Sequence, residues 1–206
     1  MHVRYPALLL LLCCAWPAVA TAGIPYAGNS TVPYRILACP AGDVRFEVVV
    51  RDIANRPVVG SYVVLNFSTC PSVVFCDDCC PGLTFDRQAR TVTAVSDVNG
   101  VATFPLKMGG LCPTGYVVVR ADGFLLGNWS IGISPDRDGN LLVNATDATM
   151  VHDLIGTSDL SADLDGDGAV TEADVSWLTG LHGGHSCAGV VSARGSTWGS
   201  IKLLYR

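Results

Sequence analysis

The feature that most restricts this 206-residue chain is a twelve-residue pattern of oxygen-bearing side chains that occurs twice towards its C-terminal end. The later copy reads Asp163-Leu164-Asp165-Gly166-Asp167-Gly168-Ala169-Val170-Thr171-Glu172-Ala173-Asp174. Oxygens fall at its positions 1, 3, 5, 9 and 12, with glycine at position 6. The earlier copy starts 27 residues before it, with Asp136, Asp138, Asn140, Asn144 and Asp147 standing where Asp163, Asp165, Asp167, Thr171 and Asp174 stand in the later one. Alternate residues of a tight loop point inward, and position 7 (Leu142, Ala169) adds its backbone carbonyl. Such a loop offers the six to eight oxygens, at about 2.3 to 2.6 Å, that calcium requires. The pattern predicts two calcium sites. Leu141 replaces the position-6 glycine in the first copy, which also has three carboxylates against four, so the first site is expected to be the weaker.

Each loop is expected to run into a helix. Asn144 and Thr171 are N-cap residues with Asp147 and Asp174 three positions on, a reciprocal capping arrangement. Apolar residues follow at helical spacing: Ala148, Val151, Leu154 and Ile155 after the first loop, Val175, Leu178 and Leu181 after the second. Gly156, Gly180 and Gly183-Gly184 mark stops, and Val143 and Val170 hold the position at which paired loops touch back to back. A standard EF-hand has a helix before each loop and Glu at position 12. Here strand-like residues and Pro135 precede loop 1, and Asp ends both loops.

Duplicated loop-helix units ending in Asp resemble type I dockerins, over residues 134 to about 185. The resemblance implies attachment to a cohesin-type domain on an extracellular scaffold, in a polysaccharide-degrading setting. Positions 10 and 11, often hydroxyl pairs in dockerins that bind cohesin, are Ala145-Thr146 and Glu172-Ala173, and the usual basic helix residues are absent.

Upstream, the periodicity is that of strands. Val44, Phe46, Val48 and Val50 share one face; Val63, Leu65 and Phe67 alternate within 61–67; further strands are expected at 91–96, 101–108, 116–121 and 125–133. Asp97-Val98-Asn99-Gly100 and Asp122-Gly123 are turns. The runs from Val50 to Gly60 and from Ser96 to Phe104 are similar to bacterial Ig-like modules of the invasin/intimin type. The expected fold class is mainly β with a small α module: a disulfide-bearing Ig-like β-sandwich followed by paired EF-hand-like loop-helix repeats. Residues 23 to about 40 read as an irregular lead-in and 69–88 as a long cysteine-bearing loop.

Arg4, the apolar run Ala7 to Ala20 and the small residues after it read as an export signal, cleaved after Ala20 or Ala22. Cys13 and Cys14 lack the small preceding residue of a lipid-attachment site. The divisions expected are 1–22 signal peptide, 23–133 sandwich, 134–185 calcium-binding domain and 186–206 linker with a short amphipathic end, the last able to pack on the body or to act as a tag. No later run is long and apolar enough to span a membrane.

Of nine cysteines, seven remain once Cys13 and Cys14 leave with the signal. Outside the cytoplasm they read first as disulfides. Cys39, Cys70, Cys76, Cys79, Cys80 and Cys112 suffice for three bridges, with Cys187 left over. A zinc site at Cys70, Cys76, Cys79 and Cys80 is the alternative. His182 and His185, flanked by glycine and with no evident third partner, read as solvated loop histidines.

A net charge of -5 with no cluster of Lys or Arg argues against a nucleic-acid partner. No nucleophile elbow, phosphate loop or zinc-protease helix occurs, and the paired carboxylates are engaged as calcium ligands, so no catalytic residue is assigned. Sequons begin at Asn29, Asn66, Asn128 and Asn144, and a glycan on Asn144 would obstruct a ligand position, which favours a bacterial origin. The chain therefore reads as a secreted, non-enzymatic calcium-binding assembly protein. The alternative is a structural surface protein in which calcium only stabilises the C-terminal part.

Overall fold

The computed structural model describes residues 23–80, 82–112 and 115–190. The signal segment and the amphipathic end, Trp198 to Arg206, lie outside the described residues.

The strands form where apolar side chains alternate. A six-stranded sheet runs in the order β1 (Arg35–Leu37), β10 (Phe124–Ile133), β9 (Val117–Ala121), β3 (Tyr62–Asn66), β6 (Thr91–Val95), β5 (Thr84–Asp86). All its pairings are antiparallel except that of β1 with β10. A second antiparallel ladder joins β2 (Phe46–Val49) to β7 (Val101–Phe104), with Phe46 opposite Phe104 and their rings stacked at 5.2 Å. Val48 and Phe104 from this ladder share one core with Val63, Leu65, Val92, Val119 and the fully buried Phe67. Removing a side chain the size of Phe67 from such a core costs about 3–5 kcal/mol.

Two stretches hold more structure than their sequences suggest. The lead-in contributes β1, three residues whose pairing with β10 arises only once the chain has folded back. The cysteine-bearing loop contains β4 (Val74–Phe75) and β5. The expected strand 101–108 is split into β7 and β8 (Met108–Gly109), the latter pairing with β4. Pro105 lies between them and cannot donate to a ladder.

Two short helices follow, α1 (Ala145–His152) and α2 (Glu172–Leu181). A second apolar cluster holds Val143, Val151, Ala162, Leu164, Val170 and Leu178 together with Cys39, and Leu37 and Val44 pack against it. The C-terminal core is thus closed by residues from the start of the β region. The first helix is shorter than its apolar periodicity implies, whereas α2 contains its whole expected stripe but does not bury all of it. Ile155 lies past the end of α1 and is exposed, and Leu181 is 62% exposed at the end of α2. Finally β11 (His185–Ser186) pairs with β12 (Gly189–Val190), so the expected linker begins inside a ladder.

The disulfides are Cys70–Cys112, Cys76–Cys187 and Cys79–Cys80, with Cys39 free and buried. Cys187 is therefore paired and Cys39 is the odd cysteine, the reverse of the expectation. The four cysteines of the alternative zinc reading are all consumed in bridges. Cys76 and Cys187 are 111 residues apart in sequence, and a closed loop of that length stabilises a fold by about 4–5 kcal/mol on a chain-entropy argument. His182 and His185 are not solvated either, being 8% and 5% exposed.

Candidate metal centre

Both loops are shaped by their own carboxylates. At position 1 of loop 1, Asp136 accepts the amides of Gly139 (3.1 Å), Asn140 (3.2 Å) and Leu141 (2.8 Å). At position 12, Asp147 accepts the amides of Arg137 at 2.7 Å and Asn144 at 2.8 Å. Loop 2 repeats this: Asp163 accepts from Gly166 at 2.7 Å and Gly168 at 3.1 Å, and Asp174 from Leu164 at 2.6 Å and Thr171 at 2.8 Å. The position-12 carboxylates also complete capping boxes with the N-caps Asn144 and Thr171, so one residue fixes both the loop's closure and the start of its helix.

The outcome is two clusters of like charge. Asp136, Asp138 and Asp147 bring carboxylate oxygens within 4.8 Å of one another, as do Asp163, Asp165 and Asp174. In each, positions 1 and 12 are buried and position 3 is exposed. Burial pushes the Asp136 carboxyl up to about 7; the Leu141 amide opposes the rise, and the charges of Asp147 and Asp138 add to it. Asp165 is also raised: the Asp167 amide holds it down, but desolvation and the charges of Asp174, Asp167 and Asp163 outweigh it. Such all-oxygen cages, unstable as bare anions, fit a hard divalent cation.

The remaining candidate ligands sit at the rims. Asp167 stands outside its trio, and the Oδ1 atoms of Asn140 and Asp167 accept the amides of Leu142 and Ala169 at 2.9 Å. Asn144 Oδ1 accepts the Thr146 amide at 2.7 Å, while its Nδ2 donates to the Leu142 carbonyl at 3.1 Å. Thr171 Oγ1 accepts the Ala173 amide at 3.1 Å. Leu142 and Ala169 are exposed, as their backbone role permits.

Leu141 does not abolish the turn: it takes φ +66°, against +96° for Gly168, so the loop keeps its left-handed bend at a cost in strain. Val143 and Val170 share a buried cluster but do not bond to each other. The backbone of Val143 pairs with Gly184 and His185, that of Val170 with Gly156 and Thr157.

Three contacts with no motif of their own bolt the loops to their surroundings. Arg35 of β1 donates to Asp163 at 3.2 Å and to the Leu164 carbonyl at 3.0 Å. Gly110 donates to the Asp136 carbonyl at 2.7 Å, and a Cβ on Gly109 would collide with the Asp136 carboxylate. Buried Arg137 donates to the Ser161 carbonyl and hydroxyl. A basic residue at position 2 of loop 1 was the one visible sign of the last.

Comparison with known proteins agrees with the loops. Residues 134–180 match the family model of the dockerin type I domain. No curated protein sequence matches the chain. Among solved structures, the adhesin InvE of Yersinia pseudotuberculosis is similar at 21% identity and a TM-score of 0.27, over 54% of this chain and 28% of that one. The chain thus spans under a third of that structure. Dockerin type I domains are non-catalytic modules that bind calcium and attach to cohesins on scaffold proteins. No helix among the described residues is long and apolar enough to cross a membrane. With a matching family model laid over two loops in register, residues 134–180 are a type I dockerin domain.

Proposed function

We propose that this protein is secreted and is held on a cohesin-bearing scaffold outside the cell by its dockerin domain, and that the mainly β region serves as a non-catalytic binding surface. The observation that carries the reading is the family match at 134–180 falling on two cages of converging carboxylates. Two calcium ions are bound, the first more weakly. The ligands are Asp136, Asp138, Asn140, the Leu142 carbonyl, Asn144 and Asp147 in loop 1, and Asp163, Asp165, Asp167, the Ala169 carbonyl, Thr171 and Asp174 in loop 2. Three disulfides suit an oxidising compartment. A polysaccharide-degrading setting follows from the family alone.

The recognition surface carries exposed Ala145, Thr146, Glu172 and Ala173, with no basic residue in the last turn of α2. A cohesin that accepts this chain must therefore read a surface with few hydroxyls and an acidic group. Pull-down on a panel of immobilised type I cohesins, with millimolar calcium and with chelator, tests the proposal. Retention that calcium confers and chelator removes is the expected result. A protein that takes up calcium yet is retained by no cohesin is instead a structural one in which the metal only stabilises the C-terminal part.

A further inference from the structure

We infer that Cys39, Asp43, His182 and His185 form a tetrahedral binding site for a zinc-class divalent cation, separate from the calcium loops. The four ligand atoms lie within 4.8 Å of one another, and Cys39, His182 and His185 are buried.

The geometry supports an ion better than a hydrogen-bond network. His185 Nδ1 lies 3.5 Å from Cys39 Sγ, 3.3 Å from His182 Nδ1 and 3.1 Å from Asp43 Oδ2. A ring nitrogen has one proton or one lone pair and can satisfy one of these three partners in line. His182 Nδ1 is similarly shared, being 3.5 Å from the same Asp43 oxygen. Around one tetrahedral zinc, with bonds of about 2.0–2.1 Å to nitrogen or oxygen and about 2.3 Å to sulfur, ligand atoms stand about 3.3 Å apart, or about 3.6 Å for a sulfur-nitrogen pair. These four separations match those edges, and small side-chain rotations close the rest.

The backbone presents the ligands in pairs. Cys39 and Asp43 flank a turn in which Gly42 donates to the Cys39 carbonyl at 2.9 Å, with Gly42 at φ +73°. His182 and His185 flank another, in which His185 donates to the His182 carbonyl at 3.0 Å and Gly184 takes φ +82°. Gly183 has no room for a Cβ, which would lie 2.6 Å from the Thr179 carbonyl. The glycines that make this segment look loose in sequence are those the pinched turn needs. Trp177 packs against His182 with ring centroids 4.1 Å apart and ring planes tilted by 38°, which restricts the imidazole. Asp43, with its side chain 37% exposed, leaves a route in for the ion.

A thiol, two imidazoles and a carboxylate form a donor set for zinc rather than calcium. The site joins residues 146 apart, near the Cys76–Cys187 bridge, and so clamps the end of the dockerin domain to the start of the β region.

The test uses the full chain, disulfides intact, in excess calcium so that the loops do not compete. Zinc alone is added, and bound metal is counted after desalting. One zinc per chain is expected, falling at least about tenfold in affinity in Asp43→Asn and about a hundredfold in Cys39→Ser and in a His182→Gln/His185→Gln double variant. Cobalt added to the unmutated chain should give the strong visible bands of a tetrahedral ion with a near-ultraviolet thiolate-to-cobalt band, which Cys39→Ser removes. Zinc retention equal in the parent and the double variant, or a parent cobalt spectrum that is octahedral or absent, overturns the assignment. The cobalt spectrum of the parent decides the matter even if a variant fails to fold.

Discussion

Loop 1 and loop 2 build the same cage by different means. Each has a buried Asp at position 1 and another at position 12 that gather the loop amides, and each has a left-handed glycine at position 4, Gly139 or Gly166. They differ at positions 5 and 6, Asn140-Leu141 against Asp167-Gly168, and in their outer supports. Loop 1 is pressed under Gly109 and held by Gly110; loop 2 is gripped by Arg35. The comparison teaches that the end carboxylates set the loop's shape. A poor residue at position 6 is therefore absorbed as backbone strain, and the lower charge of loop 1 leaves the cage's shape unchanged.

Removing calcium from both loops has the largest expected effect on this comparison. An ion at a hundredfold excess over its dissociation constant contributes about 2.7 kcal/mol, and two uncompensated acidic cages then repel. Chelator should abolish the helical circular dichroism signal in two steps, loop 1 with α1 first, while the disulfide-held β core persists. A single concerted step would show that the shared cluster of Val143, Val151, Val170 and Leu178 makes the loops one unit. Asp174→Ala comes next. It strips a ligand and unpairs the amides of Leu164, Asp165 and Thr171, a loss of roughly 3 kcal/mol or about a hundredfold in affinity. Titration calorimetry should show the tighter site gone and the weaker one kept, and Asp147→Ala the reverse. Equal damage to both sites by either variant would erase the distinction between the loops.

What could be read in advance follows one rule. The loops, their caps and strands such as β3 and β6 were legible because ligand spacing and side-chain alternation are local and periodic. The disulfide partners were not, because Cys76 meets Cys187 across 111 residues and no spacing encodes that meeting. The strand β1 escaped for the same reason, as its partner β10 lies far along the chain. His182 and His185 misled because the partners that bury them, Cys39 and Asp43, come from the other end of the fold. The helical stripe was over-read at Ile155 and Leu181, since periodicity marks residues able to pack and cannot show whether a surface faces them.

A smaller effect is expected from Asn140→Asp, which supplies loop 1 with the fourth carboxylate that loop 2 has. Affinity at the first site should rise about tenfold at low salt and by less as salt screens the added charge. An unchanged affinity would mean that position 5 lies too far from the ion to matter, in line with Asp167, its counterpart in loop 2, standing outside the carboxylate trio.

The smallest effect, and the one that separates strain from charge, is that of Leu141→Gly. A leucine held at φ +66° costs about 1 kcal/mol more than glycine would, equivalent to about fivefold in an equilibrium constant. Where that factor shows depends on when the strain is incurred. If loop 1 takes its left-handed bend only on binding, calorimetry will record the fivefold as tighter calcium at the first site, with metal-free stability unchanged. If the Asp136 carboxylate already holds the Leu141 amide without calcium, both states bear the strain equally, and the gain will appear as a higher melting temperature of the metal-free protein with affinity unmoved. A variant that shifts neither quantity would show that Leu141 is not strained, and any lower affinity measured at loop 1 would then have to come from its missing carboxylate alone.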